Sequence, residues 1–157
     1  MEFDAGADRY LTRTSDATIG SWENHRVPGR RALRPILVPR PGRFDSLLVE
    51  PGPPAVLTAD GIVLIYDGAQ LMFDEDGTPT GVAYQPGRVL FDGREPGSPT
   101  ARSVSAFLVH TQAGELSGQV DDVCFAQGLV LYDDSWFLYY GMADSRIGYA
   151  TAPVRGA

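Results

Sequence analysis

Glycine and proline interrupt this chain so often that long helices are excluded: 18 glycines and 12 prolines recur every few positions along its 157 residues. Proline lacks a backbone donor and clashes with the preceding helical turn, while glycine marks turns, so the pattern predicts short strands joined by tight connections. Ten candidate strands lie at 9–14, 34–38, 55–58, 62–67, 88–91, 106–110, 123–125, 129–132, 136–140 and 147–151. Several are rich in β-branched and aromatic residues, which suit a pleated, half-buried surface. The expected fold class is all-β.

Two hairpins share one design. Residues 55–58 turn through Ala59-Asp60-Gly61 into 62–66, and residues 129–132 turn through Asp133-Asp134-Ser135 into 136–140. The second strands end at Tyr66-Asp67-Gly68 and Tyr139-Tyr140-Gly141, with the two glycines 73 residues apart in number. Repeated antiparallel hairpins at such a spacing point to a propeller, in which each blade is a small sheet. The spacing exceeds the roughly 40 to 50 residues of common blades, and the excess is expected in loops such as 73–79. At that spacing the chain supplies about two to three blades, short of the four to eight or so that close a ring. An open ring exposes sheet edges and apolar faces, so the expectation is a fragment, a split gene product or an obligate assembly.

Inside the first hairpin region sits a pair of acids. Glu50 precedes the stiff segment Pro51-Gly52-Pro53-Pro54-Ala55, and Asp67 ends the run Ile62-Val63-Leu64-Ile65-Tyr66. A rigid Pro/Gly segment between them can aim both carboxylates at a shared cleft, an arrangement suited to sugar or water chemistry. Read alone, Glu50 is equally a solvated acid at a strand end, and Asp67 a turn residue ahead of Gly68.

Charge and composition narrow the rest. A length of 157 residues suits one domain with its own core, and 43% hydrophobic with 21% charged residues is ordinary globular content. The net charge of -7 argues against a partner bound through backbone phosphates, because nucleic acid needs clustered cations. All 13 basic residues are arginine, which reads as coding bias. Cys124 is the single cysteine, so no intrachain disulfide forms and a buried structural thiol is expected. Only His25 and His110 are present, neither in a nucleophile motif and together too few for a zinc site. No apolar run approaches the 18 or so residues of a membrane span, and Met1-Glu2-Phe3-Asp4 lacks the features of a secretory signal. The expectation is a cytoplasmic protein with no membrane or nucleic-acid partner and neither cofactor nor metal.

The motifs, taken in order, resemble glycoside hydrolase family 130, which contains mannoside phosphorylases and β-1,2-mannosidases on a five-bladed β-propeller. The matching text is Thr14-Ser15-Asp16 with Trp22, Phe44-Asp45-Ser46, Glu50-Pro51-Gly52-Pro53-Pro54-Ala55 and Asp60 through Gly68. It continues with Tyr84 and Gly87, Ala101-Arg102-Ser103, and Trp136 through Asp144. The resemblance covers nearly the whole chain but only the C-terminal half of the family's domain, so residues 1–157 are expected to be an incomplete propeller domain.

The resemblance implies roles residue by residue. In the family's phosphorylases a Lys before Gly-Pro-Pro and a His in Tyr-His-Gly help bind phosphate, the nucleophile; Glu50 and Asp67 stand there instead. Two anions would repel phosphate, which implies the hydrolase-like branch, with water as nucleophile, Glu50 as base and Asp67 as alternative base or as partner in positioning the water. Asp144 matches an Asp that contacts sugar hydroxyls, though an Asx turn before Ser145 also explains it. Tyr84 matches a Tyr near the phosphate pocket, or is a half-buried strand aromatic. Asp45 and Arg102 are expected in support of the sugar pocket. Trp22, Trp136 and Phe137 offer stacking faces or belong to the core.

The family's general acid and two phosphate-binding arginines lie in the N-terminal half, without counterpart here. The isolated chain is therefore expected to be inactive, acting on a mannoside only with a missing N-terminal half or as a homo-oligomer. The competing readings are a non-catalytic carbohydrate-binding remnant and a truncated mannoside phosphorylase.

Overall fold

The computed structural model describes residues 9–13, 19–23, 34–97 and 99–154, with backbone only at 9–13, 19–23 and 34. The motif residues Thr14, Ser15 and Asp16, the residue His25 and the side chain of Trp22 lie outside the described residues. The expected all-β class holds: eleven strands and one four-residue helix are found among the described residues, the strands forming three antiparallel sheets arranged as in a β-propeller-like fold.

The first sheet orders β1 (Arg9–Arg13), β2 (Ile19–Glu23) and β3 (Arg34–Leu37). The second contains β4 (Leu48–Pro51), β5 (Val56–Thr58), β6 (Gly61–Phe73), β7 (Pro79–Phe91) and β8 (Pro99–Arg102); β4 and β5 both pair with β6 at different points along its length. After α1 (Ala113–Leu116), the third sheet is the meander β9 (Cys124–Tyr132), β10 (Ser135–Met142) and β11 (Arg146–Pro153). One core cluster under the second sheet gathers Ile36, Leu37, Phe44, Val49, Leu64, Tyr66, Val89 and Phe91. A smaller cluster of Ile65, Ala126 and Leu138 joins the second sheet to the third.

Several strand bounds differ from those expected. β6 and β7 each run 13 residues, passing through Gly68 and Gly87 rather than stopping there. Gly68 is a close-approach site inside the strand: a Cβ there would stand 2.6 Å from the Asp45 Cβ. The extra length between hairpin repeats therefore lies partly in paired strand and partly in the connection 103–122 between β8 and β9, not in 73–79. Residues 73–79 form only a tight turn, in which the Asp74 carboxylate accepts from the amides of Asp76 at 3.0 Å and Thr78 at 2.8 Å.

Residues 123–125 and 129–132, expected as two strands, are one, with β9 passing through a register shift opposite Tyr139 and Tyr140. The strand expected at 106–110 is absent. Its alternating burial is real, with Ala106 and Leu108 packed on the two core clusters, but its backbone bond to β7 is one from the Phe107 amide to the Pro86 carbonyl, 3.1 Å, without a ladder. β2, β4 and β8 were not anticipated. β4 and β8 are short and proline-bearing, so they depend on a long neighbour for their form. Among the described residues no helix is long and apolar enough to cross a membrane.

Candidate active site

The antiparallel register of β4 and β6 sets Glu50 directly opposite Asp67. Directly opposed residues project from the same face of a sheet, so the two carboxyl groups are neighbours. They do not flank a single hairpin as the sequence suggested: the hairpin is β5–β6, and β4 pairs with the far half of β6. On the other side of Asp67 stands Pro86 of β7. A proline in a middle strand needs its missing donor to fall where no ladder continues. The Pro86 carbonyl accepts from the Phe107 amide, so its nitrogen faces that same side, beyond the reach of β8, where no ladder calls for a donor.

Asp67 is fully buried. Its Oδ1 accepts from the Ala126 amide of β9 at 2.8 Å, whereas its Oδ2 is buried without a hydrogen-bond partner. Gly52 lets the chain close over this oxygen: a Cβ there would lie 3.3 Å from Oδ2 and 2.9 Å from the Ile65 carbonyl, to which the Gly52 amide donates at 3.1 Å. Burial pushes the Asp67 carboxyl up to about 8; the Ala126 amide opposes that shift and the Glu50 charge adds to it. At neutral pH Asp67 is therefore protonated. The sequence reading treats both carboxyls as anions, whereas burial favours the neutral form of Asp67.

Cys124 is buried near the pair, its thiol pushed up to about 12 by burial, then by the Glu115 and Asp67 charges, so it is an inert core thiol. Tyr84 lies opposite Ala69, two positions along the same face from the Asp67–Pro86 pair, and its ring packs on Phe125 with centroids 5.9 Å apart.

Asp45 and Arg102 lie elsewhere. Tyr66 alternates with Asp67 and so points to the reverse face of the sheet, where its hydroxyl donates to Asp45 at 2.8 Å. Asp45 also accepts from Arg40 and Arg102, and Arg102 stacks over the Tyr66 ring at 4.8 Å. The structure brings these residues together as a buried ionic cluster behind the carboxylate pair and not into contact with it. Asp144 is exposed in the β10–β11 turn, with Ala143 and Asp144 both at positive φ (46° and 49°). The Ser145 amide closes that turn onto the Met142 carbonyl at 3.0 Å.

A cleft of about 470 Å³ runs between the second and third sheets, lined by residues that include Val63, Ile65, Trp136 and Leu138. It does not include either carboxylate. Val63, Ile65 and Asp67 form one row along a face of β6, and the cleft ends before Asp67, where Ala126 closes against it. Trp136 lines this cleft, and Phe137 points to the other face of its sheet, 6.3 Å from the Tyr149 ring.

Two buried groups near the pair had no signal in the sequence. Glu115 of α1 accepts from Tyr140 at 2.6 Å and from the amides of Thr111 and Gln112. Burial alone would raise its carboxyl, yet these bonds outweigh burial and hold it below the usual carboxylate range. The Ala126 amide is a backbone donor, and no side-chain pattern announces such a group. Among the described residues there is no cluster of three or more His, Cys, Asp or Glu that could hold a metal.

Residues 4–156 match a family profile described as beta-1,4-mannooligosaccharide phosphorylase. A 1,2-beta-oligomannan phosphorylase from Thermoanaerobacter sp. (strain X514) is 33% identical over 137 residues, covering 87% of this chain and 40% of that protein. A solved structure reported with the finding that the GH130 mannoside phosphorylases contain glycoside hydrolases targeting beta-1,2 mannosidic linkages in Candida mannan superposes with a TM-score of 0.76 at 33% identity. It covers 98% of this chain and 44% of its own. The beta-1,2-mannobiose phosphorylase of Listeria innocua, solved with beta-1,2-mannobiose, gives a TM-score of 0.72 at 27% identity over 93% of this chain and 39% of its own. The chain thus spans less than half the length of these relatives.

Proposed function

The chain belongs to glycoside hydrolase family 130, and from that premise we propose that it acts on β-mannosides by inverting hydrolysis, with Glu50 as the base that activates water. The observation that carries this reading is the cross-strand pairing of Glu50 with Asp67, one carboxyl half-exposed, the other fully buried and pushed towards its neutral form. A base must both reach water and hold a negative charge. Of the two, Glu50 is the one that reaches solvent.

In this reaction Glu50 takes a proton from water, the oxygen attacks the anomeric carbon from the face opposite the leaving group, and the glycosidic oxygen departs with a proton from a general acid. The inverting geometry needs that acid roughly 6.5 to 9.5 Å from the base. We assign it to the part of the family domain that these 157 residues do not span. Asp144 and Tyr84 are proposed to contact the sugar, while Asp45 and Arg102 support the site from the reverse face by fixing Tyr66 beside Asp67.

Two features favour water over phosphate. The curated relatives named above are phosphorylases, yet the positions where the resemblance places their phosphate-binding Lys and His hold Glu50 and Asp67 here. A single negative charge at that point already opposes an incoming phosphate dianion. The test is to incubate the chain with β-1,2- and β-1,4-mannobiose, with and without inorganic phosphate, alone and together with the N-terminal portion of a family relative. Free mannose formed without phosphate supports the proposal, and phosphate-dependent mannose 1-phosphate rejects it. Mannoside binding with no turnover in either setting favours instead a carbohydrate-binding module.

A further inference from the structure

The cleft between the second and third sheets lies apart from the carboxylate pair, and its chemistry is of a different kind. One wall is the face of β6 that carries Val63 and Ile65; the other is Leu138 of β10 with Ala150 and Ala152 of the edge strand β11. Packed sheets ordinarily interdigitate their side chains at close-packed density. Ala150 and Ala152 are the alternate residues that β11 turns to this face, and their short side chains leave about 470 Å³ open. That volume falls among small-molecule sites, which run from about 300 to 1,000 Å³.

The lining is apolar but for one charge. It contains no acid, although the chain has a net charge of -7, and its charged residue is Arg88. The β6–β7 register sets Arg88 directly opposite Ile65, on the apolar face itself. Its backbone is fixed, the amide donating to Ser103 Oγ at 3.0 Å and the carbonyl accepting from the Ser103 amide at 2.9 Å. The guanidinium carbon lies 5.3 Å from the centre of the Phe107 ring, which also lines the cleft. Arg40 and Arg102 are committed to Asp45, whereas among the described residues Arg88 has no carboxylate opposite it.

We propose that this cleft binds an apolar monocarboxylate, with its alkyl or aryl body between Val63, Ile65 and Leu138 and its carboxylate on the Arg88 guanidinium at the mouth. A planar guanidinium offers a carboxylate two parallel N–H donors, and each methylene taken out of water adds about fourfold in affinity. A sugar suits the cleft poorly. The Thr58 hydroxyl is already engaged, donating to the Gly61 carbonyl at 2.9 Å and accepting from the Asp60 amide at 3.3 Å, so a mannoside would bury hydroxyls with few partners. The site is independent of the hydrolytic reading, and the failure of either leaves the other standing.

Calorimetric titration of the chain with decanoate, decanol and β-1,2-mannobiose, at concentrations below micelle formation by the acid, tests the proposal. Decanoate is expected to bind saturably, with one site per chain, about tenfold or more tighter than decanol, and without competition from mannobiose. Arg88→Met keeps a long apolar stem and removes the charge, so it should weaken decanoate by about 10- to 100-fold and leave decanol unchanged. Ala150→Leu, which fills the gap beside Leu138, should weaken both by at least about tenfold. The proposal is overturned by the absence of saturable binding, by equal affinity for acid and alcohol in the wild type, or by decanoate affinity unchanged in Arg88→Met. Full retention of decanoate by Ala150→Leu would place the acid elsewhere and overturn it too. So would self-association that shields Trp136 from a soluble quencher without any acid present, because a second copy would then fill the cleft. The wild-type comparison of acid with alcohol decides the ligand class should a variant fail to fold.

Discussion

Asp67 and Glu50 face each other across one strand pair, yet only Glu50 retains solvent access, and burial is what displaces the Asp67 carboxyl. The consequence for stability has a definite sign. The folded Asp67 binds its proton more tightly than the unfolded one, its pKa rising from 3.8 to about 8. Its contribution is therefore complete below the ordinary carboxylate range and is lost as the pH climbs towards 8. Thermal unfolding should show the melting temperature of the wild type falling over that interval and a shallower fall in Asp67→Asn; parallel curves would show that Asp67 is ionised throughout. The identities of the paired acids were legible in the sequence, because a stiff Pro/Gly segment next to an acid is a local pattern. Their unequal burial was not, since it depends on the Ala126 amide some sixty residues away and on a glycine that leaves room overhead.

Among the elements, the long β6–β7 hairpin positions everything else. Its residues announce strand clearly up to Tyr66, and there the local signal breaks down, because Gly68, Pro86 and Gly87 all read as terminators. Each is explained by a partner distant in sequence: Asp45 against Gly68, the 106–110 segment against Pro86, and Phe44 with Tyr66 against Gly87. The same blindness turned residues 106–110 into an expected strand, since alternating burial without a ladder leaves the same trace as a strand. A Gly68→Ala substitution should cost about 1 to 3 kcal/mol, because the added methyl meets the Asp45 backbone and Cβ and neither is the far end of a flexible side chain. Denaturant unfolding measures this, and a loss of only a few tenths of a kcal/mol would mean that the loop carrying Phe44 and Asp45 yields easily.

Over the whole molecule, the three sheets are tied by a few non-local contacts. Arg102 reaches from the end of β8 to the Val38 carbonyl beyond β3, Arg40 reaches back to the Ser103 carbonyl, and both converge on the fully buried Asp45. Asp45→Ala would leave two partly buried guanidinium groups unpaired and the Tyr66 hydroxyl without its acceptor, so a loss of about 3 to 5 kcal/mol is expected in denaturant unfolding. A loss below about 1 kcal/mol would mark the cluster as surface-like. The far face of the third sheet leaves Tyr139, Ile147 and Tyr149 exposed. Blade count and class were legible from hairpin spacing, whereas the contacts between blades were not, because they join residues that no local pattern relates.

Product analysis with β-1,2-mannobiose tests the role of the Glu50–Asp67 pair most directly, using the chain supplemented with the N-terminal portion of the Thermoanaerobacter relative, in the presence and absence of phosphate. Hydrolysis at Glu50 predicts free mannose at a rate independent of phosphate, with Glu50→Gln slower by about 10²- to 10⁴-fold. Mannose 1-phosphate appearing only when phosphate is added, at a rate indifferent to Glu50→Gln, would contradict it.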